Sequence, residues 1–312
     1  MKKRIVVGLL AALITSAVFA NGQKDAGDGR IKVVLITMDS VNEHWIKLRQ
    51  GAEDKAKELG NINLIFNAPP GKVDAPIQVQ MVEDAITQQA KVIMLAPLNA
   101  TALVPVIEKA HKAGIKVVLV DAGAETQEYD AFFSTDNGAA ARTAANTLAS
   151  LIGGKGKIAI INAQAGAGTT MTRENEFKDE IAKKYPGITI VGTQYSDGDK
   201  TKALNYALDF MTANPDLAGF YGCNEDSSIG GANGVEQNGK KGIIKFVGFD
   251  WTADTKAMIE RGVIQASMVQ NPYTMGYEGL QAGIDLLNGK TVSRHVDTGV
   301  TVATKENANS IK

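Results

Sequence analysis

Short apolar runs alternate with amphipathic stretches along most of this chain, and that alternation predicts its architecture. Ile31 to Thr37 reads as a buried strand, and His44 to Leu59 carries apolar residues at helical spacing (Trp45, Leu48, Ala52, Ala56, Leu59) until Gly60 stops it. The unit recurs as strand Ile62 to Phe66 with helix Ile77 to Gln89, and as strand Lys91 to Leu95 with helix Thr101 to Ala113. Strand Ile115 to Val120 ends at Asp121. A weaker strand, Ala131 to Ser134, precedes a break at Asp136-Asn137-Gly138 and a helix from Ala140 to Leu151. The rhythm then restarts. Strands Lys157 to Ile161, Thr189 to Gln194, Leu217 to Tyr221 and Ile243 to Val247 are each followed by a helix: Met171 to Lys184, Lys200 to Thr212, Ser227 to Gln237 and Trp251 to Ile259. Strand Ile264 to Val269, helix Thr274 to Leu287 and an extended tail from Thr291 to Thr304 complete the chain.

Alternating strands and helices of these lengths imply parallel sheets joined by right-handed crossovers. Eight or nine such units could close into one barrel. Two open sheets are the preferred arrangement, because the rhythm is interrupted near Asp136 and begins again.

Set against this pattern, the first twenty residues are of another kind. Lys2, Lys3 and Arg4 form a basic start, Ile5 to Ile14 an apolar core, and Val18-Phe19-Ala20 a small-residue cleavage site, which together read as an export signal cleaved near Ala20. Asn21 to Gly29 is polar and reads as a flexible leader. With no Cys near the cleavage point, a lipid anchor is not expected, and no later stretch approaches the ~18 apolar residues of a membrane span. Removing the three basic residues lowers the formal charge of −1 by three, leaving a mildly acidic protein of mixed sign with no basic run, which argues against nucleic acid. The single Cys223 excludes an internal disulfide. Its place at the end of an apolar run (Phe220, Tyr221) favours a buried structural thiol over a reactive one.

Candidate chemistry gathers behind the strands. In Gly242 to Trp251 a short apolar run is followed directly by Asp250, where open α/β sheets bind ligands. Asp is also a favoured helix cap, and for this residue alone the two readings stand level. The placement recurs, however. Asp39, Ser40, Asn42, His44 and Trp45 follow the first strand, Asp121 the fourth, and a Gly-rich loop, Ala163 to Gly168, precedes Arg173. Asn224, Glu225 and Asp226 follow Tyr221, and Gln270 and Asn271 follow Val269. Planar, bidentate groups with a few aromatics suit a ligand with several hydroxyls, each of which both donates and accepts, while an aromatic face covers the C–H side of a sugar ring.

From about Ile31 to its end the chain resembles the ribose-type periplasmic sugar-binding proteins of ABC importers. The stretches that carry the resemblance are Asn42-Glu43-His44-Trp45, Val118-Leu119-Val120-Asp121, Ser134-Thr135-Asp136-Asn137, Arg173 with Phe177, Asn214-Pro215-Asp216, Asn224-Glu225-Asp226, Val247-Gly248-Phe249-Asp250 and Val269-Gln270. The resemblance implies a type I periplasmic binding protein fold: two doubly wound, Rossmann-like parallel-sheet lobes joined by three hinge crossings, with sugar held in the cleft. Hinges are implied near Asp136, near Gln270 and near Val296 to Thr298. The implied lobes are residues 31–135 plus 271–297, and 136–270 plus 298–312, behind a signal at 1–20 and a leader at 21–30. By position Asn42, Trp45, Asp121, Arg173, Asn224, Asp250 and Gln270 correspond to ligand residues. His44 stands where the ribose-type site has an aromatic, and it could bind a hydroxyl or pack as that aromatic does. Ala96 replaces an Asn and Ala122 an Arg, which points away from ribose toward a hexose, deoxy sugar or polyol. In the Arg173 to Phe177 pattern Glu176 replaces a small residue. The calcium loop of the glucose/galactose-binding relatives has no match, so neither metal nor cofactor is expected.

The implied partners are a neutral sugar and an ABC permease, with a chemoreceptor as an alternative reader of a monomeric, periplasmic protein. A polyol, a furanose signal such as autoinducer-2 or a nucleoside are alternative ligands. An enzyme is not expected: Gly166 to Met171 makes only half a dinucleotide fingerprint, and no nucleophile elbow, Walker loop or His-Glu-x-x-His motif occurs. A sugar-responsive transcription regulator would need a DNA-binding headpiece where the export signal lies.

Overall fold

The computed structural model describes residues 29–70 and 74–311, so the expected export signal and most of the leader lie outside the described residues. The first βα series is β1 (Ile31–Ile36), α1 (Glu43–Leu59), β2 (Ile62–Asn67), α2 (Ala75–Thr87), β3 (Val92–Leu95), α3 (Val104–Lys112), β4 (Lys116–Val120) and β5 (Ala131–Ser134). The second is α4 (Asn137–Leu151), β6 (Lys155–Asn162), α5 (Gly168–Lys184), β7 (Gly187–Tyr195), α6 (Lys200–Ala213), β8 (Leu217–Gly222), α7 (Glu225–Gln237), β9 (Lys245–Phe249), α8 (Ala253–Glu260) and β10 (Ala266–Gln270). The chain ends with α9 (Pro272–Leu287), β11 (His295–Asp297) and β12 (Val300–Thr304). Among the described residues no helix is long and apolar enough to cross a membrane.

The strands form two open sheets, not one barrel. Their orders are β2-β1-β3-β4-β5-β11 and β7-β6-β8-β9-β10-β12, the same doubly wound order twice. Each places a reversal of strand order between its first and third strands, the switch point at which such sheets leave a crevice beyond their carboxyl ends. The extended tail divides between the two. β11 lies parallel to β5, whereas β12 runs antiparallel to β10 and makes an edge strand of opposite direction.

Each sheet is covered on both faces, which is why its strands are continuously apolar. In the first, Val33 and Leu35 pack with Leu48 of α1 and Met275 of α9, while Val34 and Ile36 point the other way, into a core with Val82 of α2 and Ile107 of α3. In the second, Ile158 and Ile160 pack toward α4 and α5, and Ala159 and Ile161 toward α6 and α7. The chain passes between sheets three times: from β5 to α4, which packs in the second core; from β10 to α9, which packs in the first; and from β11 to β12. The first and third crossings are tied together. Asp297 Oδ1 accepts the amides of Asp136 (3.0 Å) and Gly299 (2.9 Å), and the Thr298 amide donates to the Ser134 carbonyl at 2.9 Å.

One strand is displaced from its expected place. β9 spans Lys245–Phe249, not Ile243 to Val247; Ile243 is 68% exposed and belongs to the turn before it. The register explains the shift, since Ala266 to Met268 of β10 pair with Val247 to Phe249. Gly248 is therefore inside the strand, where a Cβ would lie 2.6 Å from Ser228 Oγ, the atom that accepts the Phe249 amide at 2.9 Å. Asp250 still follows directly. Trp251, expected to begin a helix, lies outside it, and α8 starts at Ala253 behind a Thr252–Thr255 capping box.

Two glycines let α1 and α9 touch backbone to backbone. A Cβ on Gly276 would lie 1.9 Å from the Leu48 carbonyl oxygen, and one on Gly51 2.1 Å from that of Tyr273. This crossing sets the position of α1, whose first turn carries three candidate site residues. Gly276→Ala should destabilise the protein by ~3 kcal/mol, because neither backbone can yield, and lower Tm by roughly 6 °C or more. A melting temperature within a degree of the parent's would mean that the two helices are free to separate.

Candidate functional site

The carboxyl ends of both sheets face one cleft, whose space of about 680 Å³ is partly open to solvent. All eight residues singled out in the sequence line it: Asn42, His44, Trp45, Asp121, Arg173, Asn224, Asp250 and Gln270. Asn42 and the first turn of α1 follow β1, Asp121 follows β4, Arg173 is on α5, Asn224 precedes α7, Asp250 follows β9, and Gln270 ends β10.

Asp121 and Asp250 occupy equivalent places, each just past the fourth strand of its sheet's order. Their amides donate to corresponding carbonyls on the next strand, Phe133 at 2.8 Å and Met268 at 2.9 Å. Both residues have left-handed backbones, with φ of +63° and +73°. A non-glycine residue held there stores roughly 1–3 kcal/mol of strain, and such positions concentrate at sites. The capping reading of Asp250 fails, because Thr252 caps α8. Asp250 is instead held by Gln270 Nε2, which donates to Oδ1 at 2.7 Å, and by the Glu225 amide, which donates to Oδ2 at 2.8 Å.

His44 stands between the two carboxylates. Its Nε2 lies 2.8 Å from Asp121 Oδ1 and its Nδ1 3.6 Å from Asp250 Oδ1, the second an ion-pair distance longer than a hydrogen bond. Burial alone would drive the ring toward its neutral form. The carboxylates, Asp121 foremost, more than offset that and raise its pKa to about 10. Burial likewise favours the neutral form of Asp250, but His44, with Arg173 and Gln270 behind it, lowers its pKa to about 2. Glu225, one shell out, is pushed up to about 7 by burial and by Asp250.

Arg173, only 2% exposed, is pinned on three sides. Its Nε donates to Asn137 Oδ1 at 2.7 Å, its Nη1 to the Cys223 carbonyl at 2.9 Å, and its guanidinium lies 4.0 Å over the Phe249 ring. Phe177, one turn on, stacks on Tyr221 at 4.1 Å in the core, while Glu176 pairs with Arg142 away from the cleft. Asn224 keeps a structural role as well: its Oδ1 accepts the Ser227 amide at 3.2 Å as the cap of α7.

Four cleft residues carry buried polar atoms with no partner: Asn42 Oδ1, Thr170 Oγ1, Arg173 Nη2 and Gln270 Oε1. Leaving such groups unpaired costs about 1–3 kcal/mol each, so a site that gathers donor and acceptor together is matched to a ligand offering both.

The structure adds wall residues that the strand-end argument did not single out. Met38 and Leu98 supply apolar wall, Gln164 comes from the Gly-rich loop, Thr169 and Thr170 open α5, and Asp226 accepts from Asn42 Nδ2 at 3.3 Å. Gln164 and Asp226 lay in stretches the sequence had marked; Leu98 carried no signal. Ala96 and Ala122 are fully buried and neither is among the residues that line the cleft. Trp251 lines a smaller side chamber behind His44 and Asp250, with Lys47, Glu225 and Tyr273. Among the described residues no cluster of His, Cys, Asp or Glu could hold a metal ion.

Comparison with known proteins agrees in direction. A family model described as a periplasmic binding protein domain matches residues 33–291. The D-allose-binding periplasmic protein of Escherichia coli (strain K12) is 33% identical over 261 residues, 81% of this chain and 83% of that protein. The ribose import binding protein RbsB of Bacillus subtilis (strain 168) is 26% identical, over 85% of this chain and 84% of its own length. Among solved structures, an ABC transporter solute binding protein from Agrobacterium vitis with bound D-fucose superposes with a TM-score of 0.86 at 34% identity, covering 88% of this chain and 96% of its own.

The charge arrangement predicts a particular acid response. A carboxyl whose pKa is lowered on folding adds stability above its unfolded value of 3.8 and loses it as pH falls toward about 2. Asp250→Asn should therefore be less stable than the parent by on the order of 2 kcal/mol near neutral pH, with the gap closing between pH 4 and pH 2 in urea denaturation. A gap that stays constant over that range would mean that Asp250 is not held charged by His44.

Proposed function

The chain belongs to the periplasmic binding protein family, and we propose that it captures a neutral sugar between its two sheets and delivers it to an ABC importer. The observation that carries this reading is the set of unpaired atoms in the cleft: three buried oxygens and one guanidinium nitrogen, on Asn42, Thr170, Gln270 and Arg173. Hydroxyls satisfy both kinds, since each donates and accepts. Trp45, 7% exposed and in the cleft wall, offers the apolar side against which a sugar ring lies. A neutral ligand fits the way His44 stands between the Asp121 and Asp250 carboxylates, 2.8 Å from one and 3.6 Å from the other.

The relatives support a hexose, deoxy sugar or pentose. Their names state D-allose, ribose and, in solved complexes, alpha-D-tagatopyranose, D-fucose and D-arabinose; a more distant one is a xylitol-binding protein. The family and its neighbours are binding proteins, and we read this chain as a carrier with no turnover of its own. Cys223 is fully buried and its thiol pKa is raised, so it is no nucleophile. We read the protein as a periplasmic monomer whose lobes, 31–135 plus 271–297 and 136–270 plus 298–312, rotate about the three crossings.

A thermal-shift screen over pentoses, hexoses, deoxy sugars and polyols tests this directly. A cognate sugar at 100 times its dissociation constant should stabilise the protein by ~2.7 kcal/mol, and Asp250→Ala should weaken its binding by more than about tenfold. If no neutral sugar in the panel raises the melting temperature, the sugar reading is wrong. Should the alanine variant bind within threefold of the parent, Asp250 is not a ligand residue.

A further inference from the structure

His44 makes an arrangement that the proposed sugar chemistry does not require. It is the third residue of a run from α1 that reaches the opposite sheet at three points. Asn42 Nδ2 donates to Asp226 at 3.3 Å, His44 Nδ1 faces Asp250 at 3.6 Å, and Lys47 Nζ donates to the Trp251 carbonyl at 3.1 Å. Of these side chains only that of His44 is also joined to its own side of the cleft, through Asp121 at 2.8 Å. Both ring nitrogens therefore face protein carboxylates, one on each side: Nε2 is hydrogen-bonded to Asp121, and Nδ1 stands at ion-pair distance from Asp250. Edge contact with Trp45, at 4.7 Å between ring centres and 83° between planes, fixes the ring's tilt.

We propose that His44 is a positioning residue, not a sugar contact: its charged ring couples Asp121 to Asp250 across the cleft, so that closure on a ligand takes up a proton in alkaline solution. The proposal rests on the reading that the lobes close around a sugar. The other charges facing this trio are unequal to the task. Arg173, from α5, is committed to Asn137, the Cys223 carbonyl and the Phe249 ring. Lys47 reaches a carbonyl, and Asp39 holds the amides of Val41 and Asn42. Glu225 on α7 adds further negative charge beside Asp250. Without a cation between them, two buried carboxylates would oppose closure.

The sign follows from linkage. In the closed arrangement the ring's pKa is about 10, against an ordinary 6.5. When the lobes part, readmitted water relieves the burial that lowers the pKa, but Asp250, whose hydrogen bond and charge raise it, is lost; with the second effect the larger, the pKa falls part of the way back. Closure therefore takes up a proton between those limits. Affinity is fully present below the open-state pKa, which lies between 6.5 and about 10, and is lost as pH rises from there toward about 10. A single linked proton gives a fall of at most about tenfold per pH unit.

Calorimetry with the sugar found in the screen, between pH 6 and pH 9.5 and in buffers of different ionisation heat, provides the test. The parent should lose about tenfold or more in affinity from pH 7 to pH 9.5, with net proton uptake on binding. His44→Phe, which keeps a ring but no charge, should vary by less than about twofold and take up no proton. The proposal is overturned if both proteins share one pH profile. A second arm does not depend on that variant folding. Imidazole NMR is simple here, because the sequence has three histidines. In the sugar complex, or in the protein as purified if no sugar binds, His44 should stay charged beyond pH 8, and Asp250→Asn should lower its midpoint by more than about one pH unit. Titration near 6.5 in both proteins rejects the bridge. A parent that binds no sugar refutes the carrier reading alone, and the NMR arm still decides this one.

Discussion

Two carboxylates, Asp121 and Asp250, are buried close together at the ends of strands from different sheets, and like charges can share such a place only with positive charge between them. That constraint orders the rest of the cleft. It requires a cation small enough to stand between the two, which His44 supplies, and donors that hold the oxygens of Asp250. The Glu225 amide and Gln270 do so. It also explains why α1 must be rigidly set, since its first turn delivers His44. The direct backbone contact of α1 with α9, permitted by Gly51 and Gly276, provides that rigidity.

The duplicated strand order makes the meeting of the carboxylates inevitable. Each sheet places its fourth strand one strand beyond the switch point, and each fourth strand is followed by an aspartate with a left-handed backbone and the same amide bond to the neighbouring strand. Three chain crossings, two of them bonded through Asp297, join the sheets without a large shared core. A ligand in such a cleft is held from both sides, and the free energy that holds it also draws the sides together. In the proposed carrier, binding and closure would be one event, the form of signal a membrane permease could read from outside.

Much of this was legible in the residues. The alternation of apolar runs and helical spacing placed every major element, with errors of two or three residues at its ends, and polar residues behind strands marked all eight candidate positions. The errors have definite causes. Ile243 and Ile244 look like the start of a strand, yet pairing with β10 decides where β9 begins. Trp251 fits a helical spacing, but the reciprocal Thr252–Thr255 bonds start α8 later. Ala96 and Ala122 read as lost wall groups; the walls there are built by others, among them Leu98, which nothing in the local sequence distinguishes.

The sequence by itself determined what depends on neighbours along the chain: the βα rhythm, the break near Asp136, the aspartates and amides behind strands, and the lone cysteine that rules out an internal disulfide. Only the tertiary structure decided what depends on distance between segments far apart in sequence. It put Asp250 in the cleft wall and gave the cap of α8 to Thr252. It left Asn42, Arg173 and Gln270 with unpaired atoms in one cavity, and it set His44 between residues 77 and 206 positions further along the chain. The physical reason is that secondary structure follows local periodicity, whereas the charge state of a histidine follows which groups come within a few ångströms of it once water is excluded.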